Sequence, residues 1–228
     1  MNADPGGVRL AGVSKSFREG ESLRRVLQSV DVEFPLGSST AIVGRSGSGK
    51  STLLALIAGL DRPDEGEVWV GGDRVSHLAE RERARLRREH IGCVYQSFNL
   101  VPTLSVLENL LLALELRGRL DGESEARARG WLARVGLADR ADAFPDRLSG
   151  GEQQRIAVAR ALVHEPEVLL ADEPTGNLDE QSAARVVELC FELGIAARRT
   201  LILVTHSREI AARAQRVLTL VDGRLVER

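Results

Sequence analysis

Short apolar runs, each closed by a glycine- or proline-marked turn, divide the chain into strands and helices of ordinary length. Val8–Phe17 and Val26–Phe34 read as strands in an N-terminal β region. Thr40–Val43 is an apolar strand that runs straight into a glycine-rich loop, and Lys50–Ala58 continues as a helix that stops at Gly59. Arg62–Gly66 forms a turn, and Glu67–Val70 alternates like a strand before Gly71-Gly72. Arg81–Glu89 is a charged helix, and Ile91–Tyr95 a further apolar strand. Ser105, with Glu108 three residues on, caps a leucine-rich helix to about Leu116; Gly118–Gly122 breaks it, and Glu123–Val135 resumes helical spacing. Glu167–Ala171 and Thr200–Val204 read as buried strands, Gln181–Leu193 and Arg208–Ala214 as helices, and Val217–Val221 with Arg224–Val226 as a closing hairpin around Asp222-Gly223. Strands alternating with helices predict an α/β fold around a mostly parallel, helix-covered sheet.

Composition narrows the class. The 228 residues suffice for one domain with a sizeable core, and a formal net charge of -2 argues against a broadly basic nucleic-acid-binding face. Cys93 and Cys190 lack metal-ligand spacing, as in a reduced, cytosolic-type protein. No run of about 18 apolar residues is present to span a bilayer, and the opening MNADPGGVRL has no apolar leader. Lysine occurs only at Lys15 and Lys50 among 31 basic residues. Arginine-rich coding accounts for most of that bias, yet Lys50 occupies a place where a compact ammonium suits phosphate oxygens better than a planar guanidinium.

That place is Gly44-Arg45-Ser46-Gly47-Ser48-Gly49-Lys50-Ser51, a phosphate-binding loop pattern set between a strand and a helix. Its glycines let successive N–H groups point inward, and the helix adds its positive end. Lys50 is expected at the β- and γ-phosphates, the Ser51 hydroxyl on Mg2+, and Thr52 at the α-phosphate. The loop alone does not separate ATPases, GTPases and kinases, although no Asn-Lys-x-Asp guanine-reading segment is present. Val168–Ala171 ends in Asp172-Glu173. Asp172 fits a Mg2+ ligand acting through water, and Glu173 a general base for the attacking water; two solubilising carboxylates at a strand end are the bland alternative.

Leu148-Ser149-Gly150-Gly151-Glu152-Gln153-Gln154-Arg155 precedes that strand. With the phosphate loop, it makes the chain resemble the ATP-binding-cassette (ABC) ATPases over essentially its whole length. The resemblance implies a P-loop NTPase fold with a RecA-like core sheet, an N-terminal antiparallel β subdomain and an inserted α-helical subdomain. Residues 1–228 would then form one nucleotide-binding domain, with 1–96 and 156–228 as core and β subdomain and 97–155 as the helical insertion. It implies that Gln96 reaches Mg2+ and the γ-phosphate side and that His206 hydrogen-bonds the γ-phosphate. Phe17 would stack on adenine, and Gly176-Asn177-Leu178-Asp179 would bring Asp179 to a dimer interface. Ser149, Gly150, Gly151 and Glu152 would serve an ATP held by a second copy. Each of these residues also has an ordinary reading: Phe17 as core, His206 as a structural strand-end histidine, Ser149 as a simple helix cap. His77, His90 and His164 have no motif around them and are expected at the surface.

The segments Asp172–Asp179 and Tyr95–Leu100 resemble one branch of that family, the ATPase subunits of lipoprotein-release, macrolide-export and cell-division-type systems; Ser207 departs from the acidic residue common there. That branch implies ATP and Mg2+ as ligands, an ATP-dependent homodimer and a separate integral membrane permease. The permease would dock near Ser97–Leu116, read as a helical segment, placing the protein at the cytoplasmic face of the inner membrane, with no nucleic acid as partner. The leucines of that segment exceed what one core-facing stripe needs, unless the helix is buried all round. A soluble ABC ATPase acting on nucleic acid or ribosomes is the second reading, disfavoured by charge and by the lack of a tandem cassette or long coiled-coil insertion. A P-loop kinase is the third and leaves LSGGEQQR unexplained.

Overall fold

The computed structural model describes residues 7–20, 22–118, 120–195 and 198–227; the opening stretch 1–6, on which the expectation of no apolar leader partly rests, lies outside them. Two sheets organise the chain. Strands β1 (Val8–Glu19), β2 (Ser22–Phe34), β4 (Glu65–Val70) and β5 (Asp73–Arg74) form an antiparallel sheet in the order β2-β1-β4-β5. The second sheet runs β10-β9-β3-β8-β7-β6, from β3 (Ser39–Val43), β6 (Ile91–Tyr95), β7 (Val168–Asp172), β8 (Thr200–Val204), β9 (Arg216–Val221) and β10 (Arg224–Glu227). All its pairings are parallel except the closing β9–β10 hairpin, whose Asp222 and Gly223 both have positive φ, as a tight two-residue turn requires.

The central strands β3, β7 and β8 are dry on both faces, which explains their unbroken apolar runs. Leu170, Ile202 and Ile42 face a core shared with α1 (Lys50–Ile57) and the antiparallel sheet, including Leu10, Val30, Phe34 and Val68. Leu169, Ala171, Leu201 and Leu203 point the other way. There they pack on residues of α3 (Val106–Leu116), α4 (Ser124–Arg134), α5 (Gly150–Leu162) and α6 (Glu180–Ile195). The charged helix α2 (Glu80–His90) leads into β6, and the short α7 (Arg208–Ala211) into β9. The hairpin tip ties the sheets together, since Gln28 N–H donates to Gly223 O at 2.8 Å.

Three sequence expectations need correction. The stretch 97–104 is not helical; helix begins at Val106 behind a Ser105–Glu108 capping box, as the Ser-x-x-Glu spacing predicts. Its leucines mostly face inward: Leu107, Leu110 and Leu114 are buried, Leu100 and Leu111 pack against the same core, and only Leu116 is exposed. Asn109, also fully buried, holds the preceding loop by donating Nδ2–H to the carbonyls of Val101, Leu104 and Ser105 while its Oδ1 accepts from Val101 N–H. The predicted helix over Arg208–Ala214 shortens to Arg208–Ala211.

The third correction concerns His164. His77 is exposed and His90 is half-buried beside Glu167 Oε1, at 3.0 Å, but His164 is buried just past α5. Its Nε2 bonds the Ile91 carbonyl at 3.2 Å, and burial pushes its pKa down to about 4. An unfolded histidine titrates at about 6.5, so between the two values only the unfolded chain takes up the proton. The stabilising effect of keeping this ring neutral is complete above about pH 6.5 and is lost as pH falls toward 4. Lowering the pH from 7 to 5 is expected to remove about 2 kcal/mol through this one group. His164→Gln should abolish that share, and urea midpoints of both proteins at the two pH values check it.

Candidate active site

The parallel register builds the site by aligning strand ends. Tyr95 of β6 lies beside Asp172 of β7, Asp172 beside Val204 of β8, and Val204 beside Ile42 of β3. The residues that follow, Gln96, Glu173, the segment to His206 and the glycine loop, therefore emerge along one edge, the carboxyl edge of the sheet. This is where open α/β sheets carry their ligands.

The loop from Gly44 to Lys50 keeps its shape through its glycines. Gly49 has φ of 105°, and a Cβ there would come within 2.5 Å of the Val26 side chain. A Cβ on Gly44 would lie 2.8 Å from both Leu220 O and Ser48 Oγ. The loop wraps the buried ammonium of Lys50, which donates to Gly44 O at 3.1 Å and Arg45 O at 3.0 Å. An ammonium has three donors; the third faces Glu173 Oε1 across 3.8 Å. Ser48 Oγ is buried and has no hydrogen-bond partner among the described residues.

Glu173 holds an uncommon backbone conformation, φ 46°, pinned by its N–H to Val204 O at 3.0 Å and by Gly176 N–H to its own carbonyl at 3.0 Å. Strained non-glycine residues of this kind concentrate at functional sites. The turn sets its carboxylate between Lys50 and His206, whose Nδ1 lies 3.0 Å from Glu173 Oε2. Burial pushes the neighbouring Asp172 carboxyl above the usual carboxylate range and Glu173 adds to the push, while the Ser51 hydroxyl, hydrogen-bonded to it, and Lys50 work against it. Gln96 is turned toward Asn177: its Nε2 donates to Asn177 Oδ1 at 3.0 Å, and Asn177 Nδ2 returns a bond to Gln96 O at 3.2 Å.

Phe17, Ser46, Gly47, Gly49, Lys50, Ser51, Thr52, Gln96, Asp172 and Glu173 line one open cleft of about 580 Å³. Gly44, Arg45, Ser48 and His206 line an adjoining cavity, which shares Ser46 and Gly47 with the first. The Phe17 ring is 40% exposed at the cleft mouth, with Lys15 Nζ 5.3 Å from its centroid, so it is no core phenylalanine. Ser149, Gly150, Gly151, Glu152 and Asp179 line neither cavity. They cluster elsewhere: a Cβ on Gly150 would lie 3.6 Å from Leu178, and one on Gly151 2.5 Å from Ser182 Oγ, whose N–H caps onto Asp179 Oδ1 at 3.0 Å. Ser149 caps α5 and is exposed.

Sequence reasoning missed three residues. Arg24, directly across β1–β2 from Phe17, lines the cleft and donates Nη2–H to Gly47 O at 3.0 Å. Val26 packs on the loop beside it. Both belong to a strand remote in sequence, and no local motif marks them. Gln154 sits within LSGGEQQR itself; fully buried, it donates to Tyr95 O at 2.9 Å and Pro174 O at 2.7 Å, bolting α5 to the turns that carry Gln96 and Glu173.

Comparison with known proteins agrees with this geometry. The ABC transporter family profile matches residues 27–176. An uncharacterized ABC transporter ATP-binding protein of Mycobacterium tuberculosis, Rv0986, is 48% identical over 226 residues, covering 99% of this chain and 91% of its own length. YbbA of Escherichia coli K12, named likewise, is 47% identical over 96% of both chains. The lipoprotein-releasing system ATP-binding protein LolD of Xanthomonas oryzae pv. oryzae is 46% identical over 96% of this chain and 90% of its own. Among solved structures, the ATP-binding cassette MJ0796, a dimer in a post-hydrolysis state bound to ADP and Pi, superposes with a TM-score of 0.88 at 38% identity, over 96% of each chain. With its loop, strand-end carboxylates and LSGG helix in place, the chain belongs to the ABC transporter family as an ATP-binding, ATP-hydrolysing cassette.

Proposed function

We propose that this ATPase works as an ATP-driven homodimer powering a separate membrane permease of the lipoprotein-release or macrolide-export type. The observation that carries the dimer is the split site. The loop, the carboxylates and Phe17 share one cleft, while the helix start Ser149-Gly150-Gly151, with Ser149 exposed, lies outside it. An N-terminal helix end with its dipole and a serine hydroxyl suits a phosphate, and a second copy would bring it to one. The dimeric ADP-bound neighbour supports this reading, and the name of LolD supports the permease class.

The residues fit the ligands they would hold. Lys50 has one donor left for a phosphate oxygen, and Ser51 and Asp172, already hydrogen-bonded, converge on a divalent-cation site. Mg2+ held there would neutralise phosphate charge during attack by water. Glu173 orients and deprotonates that water, Lys50 and His206 fix the γ-phosphate, and Gln96 leaves Asn177 to join them. Phe17 stacks on the base. No described helix is long and apolar enough to cross a membrane; attachment to the cytoplasmic face would come through the permease, near 97–116, where Leu116 remains exposed.

Glu173→Gln is expected to lower kcat by about 100-fold or more, the share a positioned base contributes, and to trap an ATP-dependent dimer in size-exclusion runs. Phe17→Ala should raise KM for ATP about 10-fold with little change in kcat, as loss of one base-stacking contact implies; Phe17→Tyr should restore it. A mixing experiment tests the shared site. Lys50→Ala and Ser149→Arg chains are each inactive alone, but together they form dimers with one intact composite site, and ATPase assays of the mixture should recover turnover. No recovery from folded, dimerising proteins would overturn the reading.

A further inference from the structure

The shared-site reading leaves an electrostatic difficulty, and the inference here rests on that reading. The helix end that must meet the second copy's triphosphate carries its own carboxylate. Glu152 Oε2 accepts from Ser149 N–H at 2.8 Å and from Ser149 Oγ–H at 2.9 Å, while Ser149 Oγ accepts from Glu152 N–H at 3.3 Å. This capping box closes the helix end well. It also commits the serine proton to Glu152 and places a negative charge where another anion must arrive. Like charges repel more strongly as an interface excludes water.

A cation already stands beside that charge. Arg140, at the end of the turn Ala138–Arg140, has its Nε 3.6 Å from Glu152 Oε1, the oxygen that Ser149 leaves unused. Its other carboxylate neighbour, Asp139 Oδ2 at 3.7 Å, belongs to a side chain that is 79% exposed and well solvated. Arg155, also near Glu152, is anchored by Nη1 on the Val135 carbonyl at 3.2 Å. Ser149's hydrogen bonds first, then Arg140 and Arg155, hold the Glu152 carboxyl below its usual range, so it is ionised at neutral pH. As an isolated exposed pair, Arg140–Glu152 would contribute little to folding. Its place beside the LSGG serine gives it a different use.

We propose that Arg140 is a positioning residue for the second copy's ATP. It takes up the charge of Glu152 as the triphosphate approaches, so that Ser149 can turn its hydroxyl from the carboxylate to the phosphate. Arg140 touches no substrate and acts only through Glu152.

The test is a double-mutant cycle on ATP-driven dimerisation in the Glu173→Gln background, read by analytical ultracentrifugation, with ATP affinity of the monomer and thermal melting measured alongside. Arg140→Ala is expected to weaken dimerisation about 10-fold, equivalent to about 1.4 kcal/mol, without altering monomer ATP affinity or melting, and Arg140→Lys should recover most of the loss. In a Glu152→Gln background, which keeps an acceptor but no charge, Arg140→Ala should change dimerisation less than about 2-fold. An equal loss with and without the Glu152 charge, or no loss at all, overturns the role of Arg140 while leaving the shared site intact. Absence of any ATP-dependent dimer from the Glu173→Gln parent removes the shared site itself and this inference with it.

Discussion

The structure depends on how it partners one buried lysine before any phosphate reaches it. Lys50 is almost fully enclosed, and an unpaired buried charge costs far more than a folded chain can spare. Its own loop solves the problem by folding back the carbonyls of Gly44 and Arg45, with Glu173 close enough to balance the charge. That arrangement demands the glycine backbone, since side chains at Gly44 or Gly49 would collide with Leu220, Ser48 or Val26. It also demands the strained turn at Glu173. Two of the three Lys50 donors are thus held by the loop's own carbonyls and the third faces Glu173, so Lys50 and Glu173 are coupled from the outset.

Sheet register supplies the rest. Parallel pairing without slippage from β6 to β3 forces Gln96, Glu173 and the glycine loop onto one edge. A one-residue slip in β7 would exchange its two faces, Leu170 for Leu169 and Ala171, and both cores would be lost together with the carboxylates. Catalytic geometry and core packing are thus one constraint. Gln154 extends it to the helical segment, because its amide joins α5 to the ends of β6 and β7. Those two bonds come from a side chain with no solvent exposure.

Most of this architecture was legible because local chemistry and global fold agree. Ser105 and Ser149 cap helices where their Ser-x-x-Glu spacing predicts, and Asp222-Gly223 turns the hairpin. What stayed hidden depends on contacts distant in sequence. His164 looks like any surface histidine until β6 is laid against it, and Arg24 looks like a solvated strand residue until β2 brings it over Gly47. The leucines of α3 read as a surplus because periodicity within one helix does not reveal that two neighbours, α4 and α5, pack against it.

The same limit governs the half-site. In one chain, Ser149 and Glu152 form a complete and ordinary capping box, and nothing about it is unsatisfied. The box has to open for the serine to donate elsewhere, so the local optimum of the monomer opposes the geometry of the closed dimer. A helix start without Glu152 would bind phosphate more readily but would leave its own Ser149 N–H without a partner. Keeping the carboxylate satisfies the separate chains, and Arg140 stands on its unused oxygen.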